Sequence, residues 1–188
     1  MSKDRFPPLT PEQMTEAQRL AAQEVIDGPR KALVSPFVPM IRSPELMTHA
    51  QRMGEYLRYR SALGLGISEW VILIVAQHWG QPVEWAIHYP IAVKEGVTGA
   101  AIEALAVGRY PDEMNKTEKV AYHFTSELLK ERCVSDDTWA QAMECFGEQG
   151  VMDLIGINGY YSMLAMTMNA CRTEVPTEVN LKLARTLY

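Results

Sequence analysis

Three observations make this chain an all-α, single-domain helical bundle. Apolar residues recur at helical rather than alternating spacing. Ser, Thr or Asn start signals, two of them followed directly by Pro, precede the apolar blocks, and Gly or Pro closes them. The one segment that passes for a buried strand, WVILIV, lies in an apolar stretch of thirteen residues between Gly66 and Gly80, whereas buried strands stop at about eight. With 188 residues, 47% of them hydrophobic, the chain fits one compact domain over 1–188 without linkers, repeats or low-complexity segments.

Taken in order, Thr10-Pro11-Glu12 reads as a cap followed by a first-turn proline, opening a helix to about Ile26 that ends at Gly28-Pro29. An irregular stretch with Pro29, Pro36 and Pro39 follows. Ser43-Pro44-Glu45 repeats the start signal for a helix to about Ser61, with Leu46, Met53 and Leu57 expected to face inward. Ser68 is expected to cap the next helix, which ends before Gly80. Pro82, at a first-turn position, starts another that ends at Gly96. Thr98 starts a short helix to near Gly108, Asn115 precedes one through about Arg132, and Ser135 caps one through Phe146. Residues Glu148 to Ala170 form either one long helix or two broken near Gly156 and Gly159, and the tail after Pro176 is extended or partly helical.

Composition removes several function classes. The formal net charge is -5 with acids and bases interspersed, so there is no basic stripe for nucleic acid and no Lys-rich face for lipid. The longest uncharged run, Trp70 to Val83, is too short to cross a bilayer, and MSKDRFPPLT has no secretory core; a soluble, cytoplasmic protein is expected. Cys133, Cys145 and Cys171 form no C-x-x-C pair and read as reduced packing residues. Glu118 and His123, five apart, diverge on a helix and make no paired site.

Glu69, Gln81, Glu84 and His88 stand out as polar groups in two otherwise apolar segments. On a helix through QPVEWAIHYPIAVKEG, Gln81, Glu84 and His88 follow i, i+3, i+7 spacing and form one stripe. Burying such groups unpaired costs roughly 1–3 kcal/mol or more, so they are expected to face one another, a cavity or water. If the two helices pack antiparallel across Gly80, Glu69 and His88 differ by about 4–5 Å in axial level, a gap side chains close. His78 is rotated about half a circle from Glu69 and is expected to point elsewhere. Pro90 removes a hydrogen bond to the Ala86 carbonyl, so a kink beside the site is expected.

This spacing resembles the central motif of the carboxymuconolactone decarboxylase family, which includes alkyl hydroperoxide reductase D: Glu69, Gln81 twelve positions on, Glu84 three further, and His88 four beyond that. IRSPELM at 41–47, Ser68-Glu69, Glu84-Trp85 and a late GYYSMLAMTMNA add to the resemblance, which covers about residues 28–176 and leaves 177–188 as a tail. The resemblance implies an all-helical fold, assembly as a homo-oligomeric trimer or hexamer, and Glu69 and His88 as proton-handling residues. In the peroxidase branch the two middle positions are the cysteines of C-x-x-C. Here they are Gln81 and Glu84, neither of which supplies a thiolate, so peroxidase chemistry is not expected.

The function this implies is that of a decarboxylase-like lyase, free of cofactor and metal, acting by general acid/base transfer on a small carboxylated lactone or related organic acid. His88 is the expected proton donor, oriented by Glu69, with Glu84 sharing a proton or holding water. Gln81, or a tyrosine among Tyr56, Tyr160 and Tyr161, is expected to steady the developing anion. A guanidinium should meet the substrate carboxylate, and Arg30, Arg42, Arg52, Arg58 and Arg60 are candidates. Gln81, Trp85, Tyr56 and Arg42 are the substrate-binding set expected. Met152, Met163, Met166 and Met168 read as core filling. Two other readings stand beside this one: a Zn or Fe site built from Glu69, Glu84 and His88 for a hydrolase or isomerase, and a non-catalytic oligomeric binding protein whose polar stripe satisfies itself.

Overall fold

In the computed structural model, which describes residues 4–175 and Leu183, the described residues form helices and no strand. A 3-10 turn at Pro11–Gln13 precedes α1 (Glu16–Asp27), α2 (Phe37–Met40), α3 (Pro44–Tyr59), α4 (Leu65–His78), α5 (Pro82–Lys94), α6 (Gly99–Ala106), α7 (Lys116–Glu131) and α8 (Asp136–Cys171). The tail expected after Pro176 lies, Leu183 apart, outside the described residues.

Helix α4 is the axis of the bundle. Every residue from Ser68 to Ala76 is buried, and α5, α7 and α8 all pack against it. A helix apolar on all sides belongs in the centre of a bundle, so WVILIV is helical, as its length requires. The helix opens earlier than expected, at Leu65, from Gly64 at φ 75. Ser68 is therefore an interior residue rather than a cap, its hydroxyl 3.1 Å from that of Ser61.

Other starts follow cap chemistry closely. Asn115 accepts from the Glu118 amide at 2.9 Å and Ser135 from the Thr138 amide at 3.3 Å, as N-caps do. At the N-terminus two Thr-x-x-Gln boxes compete. Thr10 with Gln13 closes only the 3-10 turn, Met14 returns to extended backbone, and Thr15 with Gln18 opens α1. The proline-rich stretch expected to be irregular contains α2, whose Phe37 and Met40 are buried.

The inward face of α3 is Met47, Ala50, Gln51, Gly54 and Leu57. Leu46 and Met53, expected inside, are 51% and 45% exposed. The buried stripe is rotated by one residue and is largely small or polar, which an apolar tally overlooks. In α8 the limb capped by Ser135 reaches Phe146, and Gly147 at φ 65 breaks the run. The second limb passes through Gly156 and Gly159 unbroken to Cys171. Gly156 is a contact point instead, since a Cβ there would lie 3.1 Å from Leu57 Cδ2.

Of the cysteines, Cys133 is exposed rather than packed, and Cys145 and Cys171 are half-buried. Among the described residues no helix is long and apolar enough to cross a membrane.

Candidate functional site

Helices α4 and α5 pack across the Trp79–Gly80–Gln81 turn, and this brings Glu69 and His88 together. His88 Nδ1 lies 2.5 Å from Glu69 Oε2, and His88 Nε2 lies 3.1 Å from Glu84 Oε2, one turn earlier on α5. The imidazole is thus held between two carboxylates, and all three side chains are buried. Behind them, Arg58 on α3 places its Nε 3.6 Å from Glu69 Oε1. The Tyr161 ring meets the imidazole edge-on at 5.2 Å between centroids.

Burial alone would lower the pKa of His88, because it penalises the charged ring. The charge and hydrogen bond of Glu69, reinforced by Glu84, outweigh this and push it up to about 9. At neutral pH the ring is an imidazolium with both N–H groups donating, one to each carboxylate. Tyr161 is raised well above its ordinary value by burial first and by Glu84 and Glu69 next, so it stays a phenol.

Glu84 and His88 form part of the wall of a cavity of about 260 Å³. Arg58 and Tyr59 come to it from α3, Ile87 from α5, and Tyr160, Tyr161 and Leu164 from α8. The segment between α1 and α2 supplies Pro29, Arg30, Val34, Ser35 and Pro36, and α2 supplies Phe37. Glu69 does not line the cavity and adjoins it through His88 and Arg58.

Of the sequence-derived candidates, the structure brings Glu69, Glu84 and His88 into one cluster and selects Arg30 and Arg58 from the five arginines as cavity residues. The four expected substrate contacts lie elsewhere. Gln81 is not on the α5 stripe: as the N-cap, its Oε1 accepts from the Val83 amide at 2.6 Å, and its Nε2 donates to Asn169 Oδ1 at 2.8 Å. Trp85 is fully buried and stacks on Tyr89, with 15° between the rings. The hydroxyl of Tyr56 donates to Asp153 Oδ1 at 2.9 Å. Arg42 donates to the backbone oxygens of Val38 and Pro7 and covers the Phe6 ring. Gln81 and Arg42 are drawn off by backbone groups, Gln81 also by Asn169, Tyr56 by Asp153, and Trp85 stacks on the ring one helical turn further along. In the segment from Pro29 to Phe37 the sequence singled out only Arg30, as one of five candidate arginines. Its proline content marked only irregular backbone.

His78 lines a separate hollow with Arg109 and Lys130, away from His88. Helix α5 continues through Pro90 to Lys94. Among the described residues no group of three His, Cys, Asp or Glu side chains is arranged to hold a metal ion. The reason is visible in the cluster: Glu69 and Glu84 take different ring nitrogens, so the two carboxylates and one nitrogen lone pair share no common centre.

No family model matches the chain, and no curated protein does. Among solved structures, the chain is similar to a crystal structure of a protein of unknown function from Agrobacterium tumefaciens, provisionally described there as the antioxidant defence protein AhpD. The TM-score is 0.65 at 15% sequence identity, over 73% of this chain and 94% of the other. At that identity the likeness shows the fold, which is AhpD-like.

Proposed function

We propose that this chain, AhpD-like in fold, is a cofactor-free lyase of the carboxymuconolactone decarboxylase type, acting by proton transfer on a small carboxylated lactone or related organic acid. Cytoplasmic location and assembly of several identical chains belong to the same reading. One observation supports it above the rest: an imidazolium clamped between two buried carboxylates forms part of the wall of a cavity that also holds two guanidinium groups.

The division of labour follows from the geometry. Arg30 and Arg58 favour an anionic substrate. Loss of CO₂ breaks a carbon–carbon bond, and the electron pair stays behind as a dienolate that must be protonated. His88 holds that proton, kept in place by Glu69. Glu84 lines the cavity and holds its Oε2 3.1 Å from His88 Nε2, which makes it the link between the ring and the substrate. Positioned acid/base groups of this kind contribute about 10²–10⁴-fold.

The test is turnover of a panel of carboxylated γ-lactones by the purified chain, followed by CO₂ release. His88→Gln is expected to lower kcat by about 10²–10⁴-fold, and His78→Gln to leave it unchanged. Full turnover in His88→Gln removes the proposal.

A further inference from the structure

A second hollow, of about 230 Å³, lies where the ends of α4 and α6 meet α7, apart from the acid/base cluster. Gln77 and His78 come to it from the last turn of α4, Arg109 from the residues after α6, and Tyr122 and Lys130 from α7. Three of these are basic, and no acidic side chain among the described residues lines the hollow. In a chain whose net charge is -5, that is a local reversal of sign. Neither Arg109 nor Lys130 enters an ion pair among the described residues, whereas Lys116, on the same helix as Lys130, stands 3.4 Å from Glu144.

The fold holds these groups in place. Gly108 at φ 72 turns the chain at the end of α6, and the Arg109 amide donates back to the Ala104 carbonyl at 2.9 Å, which fixes where Arg109 leaves the helix. The Tyr122 ring stacks on Trp70, with centroids 6.4 Å apart, and the His78 ring meets Trp79 edge-on at 5.6 Å. Burial, and after it the charge of Lys130, keeps His78 below its ordinary value, so the ring is neutral at neutral pH and stands close enough to feel the ammonium. An anion in the hollow opposes that charge and favours a proton on the ring.

We propose that this hollow is a second ligand site, in which Arg109, Lys130 and His78 hold a phosphate dianion, free or at the end of a small monoester. The charges decide the class: a guanidinium and an ammonium match two negative charges, and the guanidinium fork suits two phosphate oxygens at once. A monocarboxylate would leave one cation unmatched. Gln77 and Tyr122 add uncharged donors to the same lining. The site is independent of the acid/base reading.

The test is a titration of the full chain with inorganic phosphate and with phenyl phosphate at low salt, read by heat and by the NMR titration of the His78 ring. Phosphate is expected to bind with a Kd below about 1 mM and to raise the His78 pKa. Lys130→Gln and Arg109→Gln are each expected to weaken binding about tenfold or more, and Lys116→Gln to leave it unchanged. Arg109 and Lys130 are exposed, so each variant keeps its fold. Tighter binding of phenyl phosphate names a monoester as the occupant, and equal or weaker binding names the free ion; either supports the site. A His78 titration that phosphate does not move, or an affinity that survives both substitutions, overturns it and leaves the cations as complements to the C-terminal ends of the helices. Phosphate that moves His88 instead of His78 has entered the other cavity and overturns it equally.

Discussion

The carboxylate of Glu69 and the imidazole of His88 meet at 2.5 Å across the α4–α5 contact, both side chains buried. His88 has a folded pKa of about 9 against an ordinary value of 6.5. A group raised on folding contributes stability that is complete below its unfolded pKa and lost as pH climbs through the folded one. The melting temperature is therefore expected to fall between about pH 6.5 and 9, and His88→Gln to lack that fall. Matching pH profiles in the two chains would show that the pair does not titrate in this way.

Replacing Glu69 by Gln removes the main partner that keeps the buried ring charged. Burial then dominates, and the His88 pKa is expected to drop by roughly 1–3 units. Imidazole NMR titration reads this directly, and the alkaline limb of any turnover profile should move down with it. An unmoved titration would assign the elevation to Glu84 alone.

Two glycines give opposite expectations for the same substitution. Gly54→Ala drives a methyl group into the Tyr160 phenol and is expected to cost about 1–3 kcal/mol in urea unfolding, as overpacking does. Gly159→Ala, inside α8 with nothing within 4 Å of the new carbon, is expected to stabilise by about 0.5–1 kcal/mol.

Glu118 is buried but structural. It accepts from the Thr98 amide at 2.8 Å, the Thr98 hydroxyl at 2.8 Å and the Asn115 amide at 2.9 Å, which ties the starts of α6 and α7 together. Glu118→Gln weakens a charge-assisted cap shared by two helices and is expected to destabilise by roughly 1–3 kcal/mol with turnover per folded chain retained. Loss of turnover at full stability would give this carboxylate a role in the chemistry.

What could be read in advance was whatever local chemistry decides. Cap residues at Asn115 and Ser135 and the first-turn prolines at 44 and 82 start helices because their hydrogen bonds and fixed φ act within one turn. The pairing of Glu69 with His88 followed from counting levels away from one tight turn. Gln81 could have been read correctly by the same logic: a proline in the first helical position makes the preceding residue the cap, and a capping side chain folds back on its own backbone. The remainder depended on contacts between distant parts of the chain. Nothing near Tyr56 shows that Asp153 will claim its hydroxyl, and nothing near Tyr160 shows that Gly54 will clear its path. The choice of Arg30 and Arg58 among five arginines was equally invisible, because it depends on which helix faces converge.

The non-helical stretch from Pro29 to Pro36 contributes much of the lining of the hollow beside His88, and the ionisable trio sits on two helices. That part of the wall is therefore built from backbone that no helix constrains. On the proposed reading, substitutions in the stretch would retune which molecule is admitted and leave the helix-borne Glu69, Glu84 and His88 where they are.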